Sequence, residues 1–284
     1  MLTNIQAILF GGLQGITELF PISSLGHTVI LPQLFRFSIN QYDESFVIFI
    51  VATHVATACV LLAFYYKDWL NIAKGFLRSV KVRKVEVGDT YARLAWLIIV
   101  ATIPAGALGL AFDKRFESLF ARPSQAALFL IANGGILYGA ELLRRKARSD
   151  EQTSSSLDEG IAKLSYKQAI GIGAAQALAL FPGISRTGSS LAGGLLARLN
   201  HEEAIRFSFL LATPLIFAAG VLKLPKLLHA PASSVFTIVL GSLVSAAAAY
   251  VSVSFLSRYF KTKTLIPFAV YCVVMGIVSY ILIG

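Results

Sequence analysis

Residues 181–190 read FPGISRTGSS, a break of proline, glycine and hydroxyl residues inside an otherwise apolar, membrane-type sequence. The break contains Arg186, and a charged side chain costs about 2.5–3.5 kcal/mol at the bilayer centre on insertion scales, so it persists mainly where it faces a cavity. Arginine offers a planar fork of donors that matches phosphate oxygens, and glycine lets backbone N–H groups approach an anion closely. The stretch therefore predicts an intramembrane site for a phosphate-like anion.

The composition is that of a membrane protein. Of 284 residues, 56% are hydrophobic and 14% are charged, and the mean hydropathy is +0.71, outside the range of ordinary soluble domains. The formal net charge is +10, but Lys and Arg occur in short connections between apolar runs, so we expect no nucleic acid partner. Cys59 and Cys272 lie inside apolar runs and give no disulfide or metal spacing. The start, residues 1–4, lacks a basic leader, so no cleaved signal peptide is expected.

Six apolar runs are long enough to cross about 30 Å of hydrocarbon. They are residues 46–66, 92–112, 124–143, 204–224, 235–256 and 265–284. Two further apolar stretches, 2–35 and 166–199, are each interrupted by a polar segment with a proline, Pro21 in the first and Pro182 in the second. Each half is too short to cross comfortably, a pattern typical of a re-entrant hairpin. We predict an all-α integral membrane protein with six transmembrane helices and two re-entrant helical hairpins.

The two interrupted stretches resemble each other at an offset of about 162 residues, a spacing of the kind that self-comparison detects. Gln14 falls on Gln176, and the pair Ile22-Ser23 falls on Ile184-Ser185. We predict one membrane domain, 1–284, with two repeats of one hairpin plus three spans each. Because three spans are an odd number, the repeats must be inverted. The repeats are 1–143, with hairpin 2–35, and 166–284, with hairpin 166–199, joined by a linker at 144–165.

Lys and Arg predict the orientation. The connections 67–93, 144–167 and 257–264 contain 16 such residues, and the connections on the opposite side, 36–45, 113–123 and 223–234, contain 6. By the positive-inside rule the first set is cytoplasmic. The first hairpin then enters from outside, the second from the cytoplasm, and both chain ends are external. We interpret 148–160, rich in serine and acidic residues, as a mobile cytoplasmic loop.

The first break contains complementary chemistry. Gln14 and Glu18 are four residues apart and share a helix face, and Ser24 and His27 are three apart beyond Pro21. Phosphoryl transfer needs a nucleophile, a proton acceptor and fixed positive charge on the transferred group. We predict that both breaks meet near the membrane midplane in one cavity that is open to the external face.

Two motifs, QGITELFPISSLGH at 14–27 and FPGISRTG at 181–188, are the basis of a family resemblance. In their order and separation, the chain resembles the undecaprenyl-diphosphate phosphatases, integral membrane enzymes associated with bacitracin resistance. The resemblance covers essentially the whole chain. It implies a multi-pass protein of the bacterial plasma membrane that removes the terminal phosphate of a C55 isoprenyl diphosphate. The product is the lipid carrier monophosphate used in peptidoglycan synthesis, and bacitracin resistance is a consequence.

The resemblance also implies roles for individual residues. Glu18 and His27 are implied to be acid/base or metal-associated groups, Ser24 a hydroxyl at the reacting phosphate, and Ser185 and Arg186 its binders. From the chemistry of the residues themselves, we expect Ser24 to be the attacking hydroxyl, activated by His27, while Glu18 orients that base or holds a divalent cation, Mg²⁺ or Ca²⁺, and Arg186 is the fixed positive fork. Ser185 is the competing nucleophile, and direct attack by water stays open. No organic cofactor is expected. The residues expected to bind the diphosphate are Gln14, Ser23, Gly183, Ser185, Arg186, Thr187, Gly188 and Ser190. The family often has Glu where this chain has Gln14 and usually Thr where it has Leu25, so we expect an active enzyme with altered metal dependence.

Other functions remain open from the sequence. Inverted repeats with broken helices are also used by transporters, so a transporter or flippase of a polyprenyl phosphate or another anionic solute is the main alternative. A non-catalytic lipid-binding scaffold is a third. Expected partners are the polyprenyl diphosphate and membrane lipids, and a homodimer is left open. His54 and Asn133, inside predicted spans, are interpreted as interhelical hydrogen-bond residues.

Overall fold

The computed structural model describes residues 2–37, 43–117, 122–146, 156–223 and 231–283, and over these ranges it contains helices and no strand. Twelve α-helices follow one another in these ranges. They are α1 (Asn4–Thr17), α2 (Ser24–Leu34), α3 (Glu44–Phe64), α4 (Tyr66–Lys81), α5 (Thr90–Glu117), α6 (Pro123–Lys146), α7 (Leu157–Ala162), α8 (Tyr166–Ala177), α9 (Arg186–Leu196), α10 (His201–Leu222), α11 (Ala232–Tyr259) and α12 (Ile266–Ile283).

Six of these helices are long and apolar enough to cross a membrane. They are α3, α5, α6, α10, α11 and α12, with candidate spans Glu44–Phe64, Thr90–Phe112, Pro123–Lys146, His201–Leu222, Ser233–Tyr259 and Ile266–Ile283. The predicted number and positions of the spans are thereby confirmed for the described residues. The predicted connections at 36–45, 113–123 and 223–234 each lie partly outside those residues.

Each predicted hairpin contains a helix, a break and a second helix. The first helices, α1 and α8, begin with matching capping boxes, Thr3 with Gln6 and Ser165 with Gln168. In a capping box the two side chains satisfy backbone donors that the helix start leaves unpaired. The second helices, α2 and α9, begin in turn after Ser23 and Ser185, whose hydroxyls each accept a backbone N–H three residues later. The internal sequence repeat is therefore also a repeat of helix-start chemistry.

Close helix contacts position the two hairpins. Helix α1 packs against α11 where the backbone of Gly11 meets that of Gly241, and α8 packs against α5 where Gly173 meets the backbone of Ala101. An added Cβ at Gly11 or Gly173 would collide with those backbones. Helix α6 packs along α12 and also contacts α2 and α9, so it lies beside both breaks. The core formed there includes fully buried side chains such as Leu137.

Two further helices, α4 and α7, lie in segments that we interpreted as connections. Helix α4 begins at Tyr66, directly after α3. Helix α7 lies in the expected linker, where Ser156 caps its first turn and Ile161 is fully buried. The prediction of a mobile loop at 148–160 therefore does not hold for the helical residues 157–160, because their apolar side anchors them to the bundle; residues 147–155 lie outside the described ranges.

Candidate active site

The two breaks meet, as the sequence predicted. The Ser23 hydroxyl accepts the backbone N–H of Gly183 at 3.2 Å. Asn133, on α6, joins the breaks: its side-chain NH₂ donates to the carbonyl of Pro21 at 3.0 Å, and its Oδ1 accepts the N–H of Ser185, also at 3.0 Å. Asn133 is thus the interhelical hydrogen-bond residue that we expected, and it fixes both polar segments to one span.

The backbone at this junction is tightly constrained. Gly183 has φ +112°, a conformation that other residues rarely adopt, and a side chain there would collide with the backbone of Ala126. A Cβ at Gly26 would lie 2.8 Å from the Cα of Gly183. Ser23 has φ +71°, which is unusual for a residue with a side chain and marks local strain. The breaks therefore approach each other more closely than ordinary side chains would permit.

Glu18 is the centre of the site. Its side chain is 5% exposed, and its Oε1 accepts from Nη2 of Arg186 at 2.8 Å. Its Oε2 accepts from the Ser24 hydroxyl at 2.5 Å and from the Gln14 amide at 2.9 Å. A buried carboxylate needs such partners, because burial without them would favour its neutral form. The predicted carboxylate, hydroxyl and guanidinium are thus in direct contact.

His54, on α3, is a further member of the cluster. Its Nε2 lies 3.2 Å from Oε2 of Glu18, and its Nδ1 lies 2.8 Å from the carbonyl of Ile50. A carbonyl only accepts, so Nδ1 carries a proton and donates it. The contact between Nε2 and Glu18 needs another proton, since an ionised carboxylate also only accepts. His54 and Glu18 therefore hold one proton between them, either as imidazolium and carboxylate or as imidazole and carboxylic acid.

His27 occupies a different place from the one expected. Its Nδ1 lies 2.7 Å from the Ser23 carbonyl and its Nε2 lies 2.7 Å from the hydroxyl of Tyr271, so both ring nitrogens have partners other than Ser24. Side chains in a helix point back toward its N-terminus, which directs this ring to the carbonyl four residues earlier. The group that accepts the Ser24 proton in this geometry is Glu18.

Several residues expected to bind substrate form hydrogen bonds at and near the starts of α2 and α9. The hydroxyls of Ser23 and Ser185 cap α2 and α9, and the Gly188 N–H donates to Ser185 at 3.0 Å. The Thr187 hydroxyl donates to the Glu18 carbonyl at 3.1 Å. Ser190 is bonded to the Arg186 carbonyl at 2.8 Å and to Ser208 at 2.6 Å. Within the described residues, two buried site atoms have no hydrogen-bond partner: Arg186 Nη1 and Gln14 Oε1.

The donor set at Glu18 does not fit a resident divalent cation. Both carboxylate oxygens already accept hydrogen bonds from protein donors. In the described ranges of the chain, no group of three or more His, Cys, Asp or Glu side chains is placed to hold a metal ion. Ca²⁺ takes six to eight oxygen ligands, and Mg²⁺ keeps several waters and is held by one or two carboxylates together with substrate phosphates, so an ion at Glu18 would have to displace these donors.

Six candidate spans and a buried cluster of a hydroxyl, a carboxylate, an imidazole and a guanidinium define a multi-pass membrane protein with a polar site in its interior. A family model described as "Bacitracin resistance protein BacA" matches residues 7–278, and the chain belongs to this family.

Curated relatives resemble the chain over nearly its full length. An "Undecaprenyl-diphosphatase" of Mycolicibacterium paratuberculosis (strain ATCC BAA-968 / K-10) is 44% identical, covering 97% of this chain and 95% of the relative. An "Undecaprenyl-diphosphatase 2" of Frankia alni (strain DSM 45986 / CECT 9034 / ACN14a) is 42% identical, covering 97% and 96%. An "Undecaprenyl-diphosphatase" of Acidiphilium cryptum (strain JF-5) is 43% identical, covering 99% of each.

Proposed function

We propose that the protein is an undecaprenyl-diphosphatase. It hydrolyses undecaprenyl diphosphate to undecaprenyl phosphate and inorganic phosphate, which recycles the lipid carrier for peptidoglycan synthesis and confers bacitracin resistance. The observation that carries the proposal is the convergence of Ser24 and Arg186 on Glu18 in a chain of this family. A nucleophile, a proton acceptor and a phosphate-binding cation are the groups that phosphoryl transfer requires.

In the proposed first step, the Ser24 oxygen attacks the terminal phosphorus. Its proton passes to Glu18, which already accepts it at 2.5 Å. The bond between this phosphorus and the bridging oxygen breaks, and undecaprenyl phosphate leaves with the bonding electron pair. In the second step, water attacks the phosphorus of the phosphoserine, and the bond between this phosphorus and the Ser24 oxygen breaks. The proton that Glu18 took from Ser24 returns to that oxygen, the Glu18–His54 pair accepts the proton of the water, and inorganic phosphate is released. If water instead attacks the diphosphate directly, the same pair accepts its proton.

Arg186 is proposed to hold the transferred phosphate. One arm of its guanidinium pairs with Glu18, while the other, Nη1, is buried without a partner among the described residues. A phosphate oxygen would satisfy this donor, and the charge would offset the negative charge on the equatorial oxygens in the transition state. We propose His27 as a positioning residue, because it bonds the backbone of strained Ser23 rather than the reacting hydroxyl.

The predicted architecture is proposed in full: two re-entrant hairpins, in inverted repeats 1–143 and 166–284 joined by 144–165. Equivalent helices of the two repeats make equivalent contacts with the other repeat, which supports this architecture. Helix α1 packs on α11 as α8 packs on α5, and α3 packs on α11 as α10 packs on α5. A two-fold relation between the halves would generate these pairs. The matching capping boxes of α1 and α8 point the same way.

We further propose the bacterial plasma membrane as location, with the site open to the external face and both chain ends external. The excess of Lys and Arg in 67–93, 144–167 and 257–264 supports this orientation.

A homodimer remains open, and the mass of the purified protein in detergent would decide it. Dependence on Mg²⁺ or Ca²⁺ also stays a prediction. Since the donors at Glu18 do not fit a resident ion, we expect any such dependence to accompany the diphosphate, and assays with and without EDTA test this.

The proposal is tested with purified, detergent-solubilised protein and a short-chain prenyl diphosphate. We expect release of inorganic phosphate by the wild type and none above background by Arg186→Ala, with the prenyl monophosphate identified by mass spectrometry. A transporter or flippase, which is not favoured because the similar proteins are named as diphosphatases, would bind the lipid without releasing phosphate. Binding without release by folded protein would therefore contradict the proposed activity.

A further inference from the structure

Helix α4 has one face packed against the bundle. Ile72, Gly75 and Ser79 on this face are buried. A Cβ on Gly75 would collide with the backbone of Ala92 in the first turn of α5. The Ser79 hydroxyl accepts from the Trp96 indole at 3.0 Å. Because this face is packed, the rotation of α4 about its axis is fixed. The remaining residues of α4 form two exposed faces, one apolar and one basic.

The contacts of α4 place it across one end of the bundle. Toward its start, Asp68 pairs with Arg206 of α10 at 3.0 Å, and toward its end Ser79 contacts Trp96 of α5. Both partners lie within the first seven residues of candidate spans. The starts of these spans are at the same end of the molecule, because both contact the segment around helix α7: Arg206 of α10 donates to Asp158 at 2.8 Å, and Arg93 of α5 donates to the Leu164 carbonyl at 2.9 Å. Eleven residues of helix cover about 16 Å, so α4 extends from one span start to the other along this end.

The second face of α4 is apolar and exposed. Tyr66, Leu70, Leu77 and Val80 are 54%, 55%, 66% and 49% exposed. Their spacings of four, seven and three residues align them in one stripe along the helix. The preceding helix, α3, is a candidate span that ends at Phe64, so the stripe continues directly from lipid-facing sequence. A stripe of large apolar side chains is unfavourable in water and needs a cover.

The third face of α4 is basic. Lys67, Lys74, Arg78 and Lys81 repeat at seven, four and three residues and lie about a quarter turn from the apolar stripe, given 3.6 residues per turn. All four are exposed, although Arg78 also pairs with Asp89 at 2.7 Å. The one acidic residue in 66–81 is Asp68, which is held by Arg206. The exposed surface of α4 thus combines apolar and cationic side chains.

We propose that α4 lies in the plane of the membrane surface as a binding element for anionic phospholipids. Its apolar stripe inserts beside the acyl chains, and its basic stripe binds the phosphate groups of negatively charged lipids. In-plane amphipathic helices have these features, and basic residues at a leaflet surface attract anionic lipids. Charge complementarity and continuity with α3 favour a lipid leaflet over a protein partner. The proposal does not depend on the phosphatase activity.

The first experiment measures the depth of the apolar stripe. The full chain with Cys59→Ser carries a nitroxide at Leu77→Cys and is reconstituted into vesicles of phosphatidylcholine and phosphatidylglycerol. We expect the label to collide more with oxygen than with a water-soluble nickel chelate. The matched control is Val87→Cys, a fully exposed position just beyond α4, where the nickel chelate should dominate. Equal nickel accessibility at both positions would show a stripe open to water, available to a protein partner, and would overturn the proposal.

The second experiment measures lipid preference at α4. The two tryptophans of the chain are Trp69, in α4, and Trp96, which contacts it, so intrinsic fluorescence reports on this region. We expect brominated phosphatidylglycerol to quench more than brominated phosphatidylcholine at the same mole fraction. The preference should fall to near parity in Lys67→Gln/Lys74→Gln/Lys81→Gln and weaken at high salt. The control pair Lys261→Gln/Lys263→Gln should keep it. Equal quenching in the wild type, or an unchanged preference in the triple variant, would contradict the basic stripe.

Discussion

At the residue scale, the site depends on how one carboxylate is shared. Glu18 contacts Ser24, Arg186 and His54 at once, so each of these partners influences the others through it. Arg186 balances the charge of the buried carboxylate, and its Nη1 has no hydrogen-bond partner among the described residues. Such coupled groups act as a unit, and the loss of one changes what the others can do.

Arg186→Lys tests the geometry of the guanidinium. Lysine keeps the charge but cannot hold Glu18 with one arm and a phosphate with the other. We expect kcat/KM for phosphate release to fall about 10–100-fold, which corresponds to the loss of a charge-assisted hydrogen bond. The thermal midpoint in detergent should change little. Turnover close to that of the wild type would contradict the two-armed role.

Ser24→Ala compared with Ser185→Ala identifies the nucleophile. Ser24 donates directly to Glu18, whereas Ser185 caps α9 and donates to the backbone. We expect Ser24→Ala to lose at least about 10³-fold in turnover, as for other disabled nucleophiles, and to trap no phosphoenzyme. Ser185→Ala should lose stability by about 1 kcal/mol, as for a lost cap, and keep much of its turnover. The reverse ranking would make Ser185 the nucleophile, and weakened binding alone in both would favour direct attack by water.

His54→Gln tests the proposed proton pair. Glutamine can still donate to Glu18 but cannot exchange a proton, so we expect turnover to fall about 10²-fold, a typical loss for general acid–base groups. His201→Gln is the matched control, because His201 pairs with a different buried carboxylate, Glu141, at 2.7 Å. That variant should lose stability and keep its kcat. Equal kcat in His54→Gln and the wild type would reduce His54 to a structural residue.

Much of the site was predictable because its chemistry is concentrated in two short motifs. Glu18, Ser24 and Arg186 stand out as polar groups in apolar sequence, and all three meet. The contact of His54 with Glu18 was not predictable, because a lone histidine in an uninterrupted apolar span gives no partner in sequence. The predicted contact between His27 and Ser24 was wrong for a related reason. The spacing allows this contact, but in its observed rotamer the imidazole hydrogen-bonds with the carbonyl of Ser23.

At the element scale, the spans were predictable, whereas helices α4 and α7 were not. A span such as α3 is determined by length and hydropathy, which need no knowledge of tertiary packing. Helix α4 alternates basic and apolar residues, so a search for long apolar runs passes over it. Helix α7 has six residues, too few to be stable alone, and it forms because Ile161 packs into the bundle and Asp158 pairs with Arg206.

Gly183→Ala tests the junction between the breaks. Backbone strain at φ +112° alone should cost about 1–3 kcal/mol, and the collision with Ala126 would displace α6 and with it Asn133. We expect a lower thermal midpoint together with lost phosphate release. The control is Gly135→Ala. Gly135 lies in α6, the helix that carries Ala126 and Asn133, but it has open space around it. This variant should keep its activity and gain slightly in helix stability. Normal activity in Gly183→Ala would show that the breaks tolerate separation.

At the scale of the whole molecule, the two halves of the chain depend on each other for packing. Each hairpin packs on a span of the other half, α1 on α11 and α8 on α5, so neither half is complete without the other. One motif contributes the carboxylate and hydroxyl, and the other contributes the guanidinium. An inverted repeat would bring these two sets of groups together at the membrane midplane.

Labelling from the two sides of the membrane tests the inversion. Asn4 and Lys167 occupy the matching first turns of α1 and α8, and both are exposed. With Cys59→Ser as background, we expect an impermeant maleimide to label Asn4→Cys in intact spheroplasts and Lys167→Cys only after the membrane is permeabilised. The expected difference follows from the distribution of Lys and Arg, which places the start of the second hairpin in the cytoplasm.

Lys84→Cys, beyond α4, should behave like Lys167→Cys because its connection carries the largest positive charge. Labelling of Asn4→Cys and Lys167→Cys from the same side would rule out inverted repeats, and two hairpins entering in parallel would then have to be reconciled with the contact between Glu18 and Arg186.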